Sequence, residues 1–468
     1  MLFSIGISAM KQPAIKKKIT RHDTETCQVP ECEICKQKRP FRLPKEIVSA
    51  YQVGNLIIFA GAGVGTESVE VYPSTFYASV KHELGLPEEE RISFSKLMSL
   101  YCSHPRSHKD LFQAIQKRIE YIKSFPELYR RATEFHRELS TIPHLDEIFT
   151  TNWDDFFERE CDATPIVTGQ DFAVFQDVPG RKVFKLHGSI YNYGSIVATE
   201  DDYRKCYRRL STGIIGAKLK MLLMSKTLVF FGFSFNDEDF QKLYNLLKKE
   251  VGGLVPRSYV VTLDEQAKEK LNLLGVNATP IITSASFFVE QLKKRLVKDK
   301  LMLPDQQYDG IEKVLRCVYA EHMKLSRLSI VKHPDSLYSL FYQDGLIHAF
   351  ERLLITKKSG QNSCAQKTIN FIESYSKLIK ERLHEGNYPD VAYFTGYHNG
   401  LLYFLAHRKY RQLVPMYFLF GCADIGNFKQ YIRLEKNAAR LHKSAHKVAL
   451  RLAKRTTGGL VLHRKPFL

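Results

Sequence analysis

The chain has 468 residues, of which 44% are apolar, 12% aromatic and 25% charged, a composition that excludes a disordered polymer and allows a sizeable core. No stretch approaches the ~20 apolar residues of a bilayer span; one of the longest candidates, Leu413–Ala423, is interrupted by Pro415. The 69 Lys and Arg exceed the 50 Asp and Glu by 19, and the excess sits in residues 1–45 (10 basic, 4 acidic) and 301–468 (26 and 13), whereas residues 46–300 hold 33 of each.

Residues 1–45 read as a basic arm. The mildly apolar start, Met1–Met10, precedes Lys16-Lys17-Lys18 instead of following it, the reverse of a secretory signal. Six of the nine cysteines are scattered singly, as expected of reduced thiols in the cytoplasm. His22, Cys27, Cys32 and Cys35 offer four ligands for a closed tetrahedral zinc site; the alternative is three free thiols in the arm.

From residue 55, apolar runs bounded by Gly, Pro, Asn or Asp predict strands at 55–60, 147–151, 165–167, 182–186, 227–231, 258–263 and 280–283. The runs are near-continuous and rich in β-branched and aromatic residues, the pattern of strands buried on both faces of a parallel sheet. Residues 46–300 therefore read as a doubly wound, mostly parallel, Rossmann-like α/β domain. Almost ninety residues separate the first two strands, and Leu111, Ile115, Ile119 and the run from Phe125 to Leu139 predict a helical insertion there. After Pro304 the spacing turns helical: Ile311, Val314, Leu315 and Val318; Leu340, Ile347, Phe350 and Leu354; Ile372, Tyr375, Ile379 and Leu383. Residues 301–468 read as an all-α domain with Tyr393, Phe394, Tyr397, Tyr403 and Phe404 in its core, and residues 429–468 carry 11 Lys or Arg against Glu435 alone. Such a tail suits nucleic acid or an acidic partner, or it is a solvated helix face.

Ligands bind at the carboxyl ends of strands in open α/β sheets, so the polar groups there are the candidates. Gly61-Ala62-Gly63-Val64-Gly65 follows the first strand, and its glycines allow a backbone to approach a pyrophosphate ahead of a helix N-terminus, or simply allow tight packing. Thr150-Thr151-Asn152-Trp153-Asp154 follows the second, where Asn152 and Asp154 either hold a ribose, carboxamide or water, or cap the helix through Phe156 and Phe157. Lys185-Leu186-His187-Gly188-Ser189 ends another strand, with Gly188 leaving one side of the His187 ring open; Phe231-Gly232-Phe233-Ser234-Phe235-Asn236-Asp237 ends a fourth.

Taken in order, these four segments closely resemble the sirtuin-like NAD-consuming domains of bacterial anti-phage defence proteins, over about residues 46–290. The resemblance implies that Gly61, Ala62 and Gly63 cradle a diphosphate, that Thr151 helps hold the dinucleotide, and that Asn152 and Asp154 sit by the nicotinamide ribose and water. It makes His187 the catalytic histidine, lines the adenosine side with Gly232 and Ser234, and brings Asp264 to the adenosine ribose. Deacetylating sirtuins have Gln-Asn-Ile-Asp where this chain has Thr151-Asn152-Trp153-Asp154, and a four-cysteine zinc module that residues 46–300 lack, which argues against an acyl-lysine channel. The family's usual Ser is Gly65 here, and Tyr72-Pro73-Ser74-Thr75-Phe76 matches its proline-aromatic step only loosely. The implied activity is NAD glycohydrolysis to nicotinamide and ADP-ribose in a gated effector; alternatives are a regulatory subunit that binds NAD or ADP-ribose without turnover, and a protein ADP-ribosyltransferase or deacetylase. The implied partners are further copies of the chain and a DNA translocase of the HerA type or an Argonaute-like protein, since the chain has no Gly-x4-Gly-Lys-Ser/Thr motor motif of its own.

Overall fold

The computed structural model describes residues 37–68, 71–72, 74–103, 106–175, 177–233, 257–406, 414–455 and 466. Seven parallel strands form one sheet: β1 (Leu56–Ala60), β2 (Glu147–Thr150), β3 (Thr164–Ile166), β4 (Lys182–Lys185), β5 (Thr227–Phe231), β6 (Ser258–Thr262) and β7 (Ala278–Ile282). Their order is β3-β4-β2-β1-β5-β6-β7, so β2 to β4 lie on one side of β1, with β4 inserted between β2 and the edge strand β3, and the chain then crosses to the other side. The reversal of direction at β1 is the topological switch point where such sheets open a crevice.

The register explains why the apolar runs are continuous. Phe184, Phe149, Phe59 and Phe230 are paired neighbours on β4, β2, β1 and β5 and stack at 4.7, 5.0 and 5.1 Å between ring centroids. They and Leu228 face the helices Glu200–Thr212, Ile214–Ser225 and Ala267–Leu273. The alternate residues, Ile58, Ile148, Val183 and Val229, face Lys45–Gln52, Glu134–Ser140 and Ala285–Lys298. Both faces are thus dry, and the sheet has no room for alternating polar positions.

The predicted insertion consists of helices at Phe76–Glu83, Phe94–Tyr101, His108–Ser124, Pro126–Ala132 and Glu134–Ser140. The third starts at a capping box of Ser107 and Asp110 and buries Leu111, Ile115, Ile119 and Ile122, one per turn; Pro126 then opens the next helix. Leu111, Ile115 and Ile119 form a core with Phe76, Leu97 and Met98, while Ile122 packs with Val71, Ala132 and Phe156.

The described residues of 301–455 are mainly helical, with Ile311–Leu325, Ser336–Ile355, Ala365–His384, Tyr388–Leu405 and Lys443–Arg455 around a core that includes Tyr393, Phe394, Tyr397, Tyr403 and Phe404. One feature departs from the all-α expectation. The apolar run around Pro415 forms a two-stranded antiparallel hairpin, β8 (Tyr417–Leu419) and β9 (Cys422–Ile425), because Gly421 at φ +81° turns the chain back on itself. No helix among the described residues is long and apolar enough to cross a membrane.

Arg181 closes the seam between sheet and helices. It is 2% exposed and donates to the carbonyls of Ser140, Ile142, Leu145, Cys161 and Lys358 at 2.8–3.3 Å. The first and fourth of those carbonyls end helices, where a cation is favoured. Gly360, at φ +70°, brings the same segment so close that a Cβ would lie 2.6 Å from the Ile142 carbonyl oxygen.

Candidate active site

The pairing Lys185–Thr150–Ala60–Phe231 crosses four adjacent strands at one level. The next residues, Leu186, Thr151, Gly61 and Gly232, therefore emerge along a single sheet edge. This edge opens onto a cavity of about 1260 Å³, roofed by the helical insertion. Ala62, Gly63, Thr151, Asn152, Asp154, His187 and Gly232 all line it, so four segments far apart in sequence meet in one hollow. Gly61 and Asp264 do not line it. Ser234, and the proposed zinc ligands His22, Cys27, Cys32 and Cys35, lie outside the described residues.

The glycine turn is closely packed, one of the two readings of its sequence. Gly61 and Gly63 donate their N–H groups to the carbonyls of Phe231 and Gly232 at 2.8 and 3.1 Å, and a Cβ on either would come within 2.9 Å of the Gly232 carbonyl oxygen. These glycines make tight packing of β1 against the β5 turn possible. No helix opens directly behind them: Ala62–Val64 is a single 3-10 turn, and the next described helix begins at Phe76. The cavity wall here is formed by Ala62, Gly63, Val64 and Thr66, without the end of a long helix dipole.

Asn152 is 4% exposed, and neither its amide oxygen nor its amide nitrogen has a hydrogen-bond partner among the described residues. Its backbone is held by Thr150 Oγ1, which accepts from Asn152 N at 3.0 Å and donates to Ala60 O at 2.9 Å. A buried amide left unpaired costs about 1–3 kcal/mol, so its presence on a cavity wall points to a polar ligand. Asp154 Oδ1 accepts from Phe156 N at 3.1 Å, a local bond from the residue before the N-cap Asp155, and Asp154 also lines the cavity; neither it nor Asn152 is the helix cap. Burial pushes the Asp154 carboxyl up to about 6, against the pull of the Lys185 ammonium, whose Nζ donates to the Asp154 carbonyl and to Glu158 Oε1.

His187 is 4% exposed, with its ring centroid 5.2 Å from that of Tyr203 in an edge-on contact. Gly188 does not open the ring's flank. It sits at φ +85°, and a Cβ there would lie 2.1 Å from the Ser195 carbonyl oxygen, so glycine is required by the turn. At the β6 end, Asp264 pairs with Lys270 Nζ at 2.5 Å, and that ammonium holds its carboxyl below the usual range.

Sequence reading missed two parts of the site. Trp153 lines the cavity, with its indole N–H buried and unpartnered and its rings against Phe76 and Phe94. Glu67 and Arg118 form an ion pair on the cavity wall, 2.9 Å from Oε1 to Nε, and Glu67 also accepts from Phe76 N. Burial pushes the Glu67 carboxyl up, with Arg118 opposing. The partners are 51 residues apart, and no local spacing marks them.

Comparison with known proteins converges on this edge of the molecule. A family model described as SIR2-like domain matches residues 146–281, which contain the segments after β2, β4 and β5. The chain is 29% identical over 206 residues to the NAD(+) hydrolase ThsA of Enterococcus faecium, covering 43% of this chain and 41% of that protein. It is 26% identical over 228 residues to the protein of the same name from Bacillus cereus (strain MSX-D12), covering 44% and 46%. With Defense-associated sirtuin 2 of Bacillus subtilis it shares 22% over 285 residues, 58% of this chain and 25% of that one. The chain thus spans less than half the length of these relatives. Residues 146–281, which supply three of the four strand-tip segments, are thus similar to a SIR2-like domain, and the chain is similar to relatives named NAD(+) hydrolase and defence-associated sirtuin.

Proposed function

We propose that this cavity binds NAD and breaks its nicotinamide–ribose bond, releasing nicotinamide and ADP-ribose. The observation that carries the reading is the buried, unpartnered amide of Asn152 at a switch point shared with His187. Relatives named NAD(+) hydrolase support it. The nicotinamide of NAD is cationic and departs as a neutral molecule, so the leaving group needs no strong acid. The site has instead to hold the ribose, limit solvent and present fixed dipoles to a developing oxocarbenium ion. Asn152 orients the ribose or the attacking water, and His187 accepts the proton released when that water's oxygen bonds to the ribose carbon. Asp154 fixes the loop between them. The Ala62–Thr66 backbone faces the diphosphate, with Gly61 and Gly63 shaping the turn, and Thr151 and Gly232 border the dinucleotide. Ser234 and Asp264 complete the adenosine side of the reading.

In this account residues 46–300 are the catalytic unit, 301–468 mediate self-association or docking of a partner such as a HerA-type translocase, and assembly gates the reaction in defence. Unrestrained NAD cleavage would harm the producing cell. Incubating the full chain with labelled NAD separates the alternatives. Equal yields of nicotinamide and ADP-ribose support hydrolysis, label retained on protein means transfer, and intact NAD in every assembly state means binding without turnover.

A further inference from the structure

We propose that the outer face of residues 429–455 binds the phosphate backbone of double-stranded nucleic acid. The segment from Phe428 to Arg455 carries Lys429, Arg433, Lys436, Arg440, Lys443, Lys447, Arg451, Lys454 and Arg455 against one acid, Glu435. All nine cations are exposed, and none has an ion pair or hydrogen bond among the described residues. Two acids of this region face inward: Glu435 is 6% exposed and bound to His333 at 2.9 Å, and Asp335, 2% exposed, is bound to His446. Some exposed cations elsewhere do have an acid one turn away, such as Arg204 and Lys205 with Asp201 or Arg130 and Arg131 with Glu127. The C-terminal face is therefore unneutralised by its own surroundings, and solubility alone does not require that acids be withheld from it.

The geometry orders these charges. Lys443, Lys447, Arg451 and Lys454 recur at four, four and three residues along the helix Lys443–Arg455, which spaces them about 5–6 Å apart on one side. Ala445, Ala449 and Ala453 occupy the opposite side and are buried; Tyr338 donates to the Ala445 carbonyl at 2.8 Å and fixes which side faces out. A row of cations at this spacing suits a polyphosphate chain.

The surroundings choose between partners. A helix that lies on a membrane sets bulky apolar side chains beside its cations; between 428 and 455 Leu450 is the one exposed large hydrophobic among the described residues. Single strands are held by exposed aromatic rings, yet Tyr431 is fully buried and Phe428 partly so. What remains is backbone contact with a duplex, which reads charge and not sequence. This surface is independent of the strand-tip cavity, and the inference does not rest on the NAD reading.

The test is anisotropy of a labelled mixed-sequence DNA duplex of about 30 base pairs with the full chain, between 50 and 200 mM KCl. With about five phosphate contacts, affinity should fall on the order of 10²- to 10³-fold across that range and be unchanged by shuffling the sequence. Lys443→Gln/Lys447→Gln/Arg451→Gln/Lys454→Gln should weaken binding at 50 mM at least 10²-fold and flatten the salt slope, whereas Arg204→Gln/Lys205→Gln should stay within about twofold. The salt slope of the unaltered chain is read without any variant. The inference is overturned by no duplex binding at 50 mM, by a fourfold variant that binds as the parent does, by tighter binding of single strands, or by binding to phosphatidylserine vesicles in place of the duplex.

Discussion

Around the strand-tip cavity charged groups are drawn inward and answer one another, while the C-terminal face holds nine cations outward with no ion pair among the described residues. Lys185 with Glu158, Glu67 with Arg118 and Lys293 with Glu138 and Asp305 stand near or beneath the cavity. Such partners lose hydration and recover it only through fixed geometry, so they order a site more than they stabilise a fold. Exposed cations keep their hydration and stay available to an outside anion. The same residue types thus serve preorganisation in one region and encounter in the other.

The largest stability effect expected is at the seam. Arg181→Met would leave five carbonyls facing one another without a donor, and should cost about 3–5 kcal/mol in urea unfolding. The exposed Lys443, Lys447, Arg451 and Lys454 substitutions should each stay within about 0.5 kcal/mol. A loss under 1 kcal/mol at Arg181 would erase the distinction between buried and exposed cations.

Histidines sharpen the contrast further. His333 and His446 face carboxylates, whereas His136 is 0% exposed among Phe135, Phe156 and Phe157, with no carboxylate on its ring nitrogens among the described residues. Burial, then the Lys185 charge, lowers its pKa from 6.5 to about 3. The unfolded chain therefore binds the extra proton between those values, and the stability this group contributes is present above pH 6.5 and lost as pH falls. Asp154, raised to about 6, acts oppositely, losing stability as pH rises toward 6, but is common to parent and variant. Between pH 6.5 and 5 the parent should therefore lose about 2 kcal/mol relative to His136→Leu. Parallel urea midpoints at the two pH values would contradict this.

Much of this was legible from the sequence because buried parallel strands leave a strong trace. All seven runs fall on the strands, Thr227–Phe231 residue for residue. Strand ends then located Thr151, Asn152, His187 and Gly232 on one edge. What escaped depended on distant contacts or on backbone geometry. Arg118 reaches Glu67 from a helix whose packing the spacing does not disclose, and Ser195 fills the space beside Gly188. The β8–β9 hairpin arises in a run too short for its period to separate strand from helix.

The account stands most directly on nicotinamide release from NAD by Asn152→Ala and His187→Ala. With unfolding midpoints unchanged, each variant should turn over at least about 10²-fold more slowly than the parent under identical assembly conditions. Full turnover by both would place the chemistry elsewhere than in this cavity.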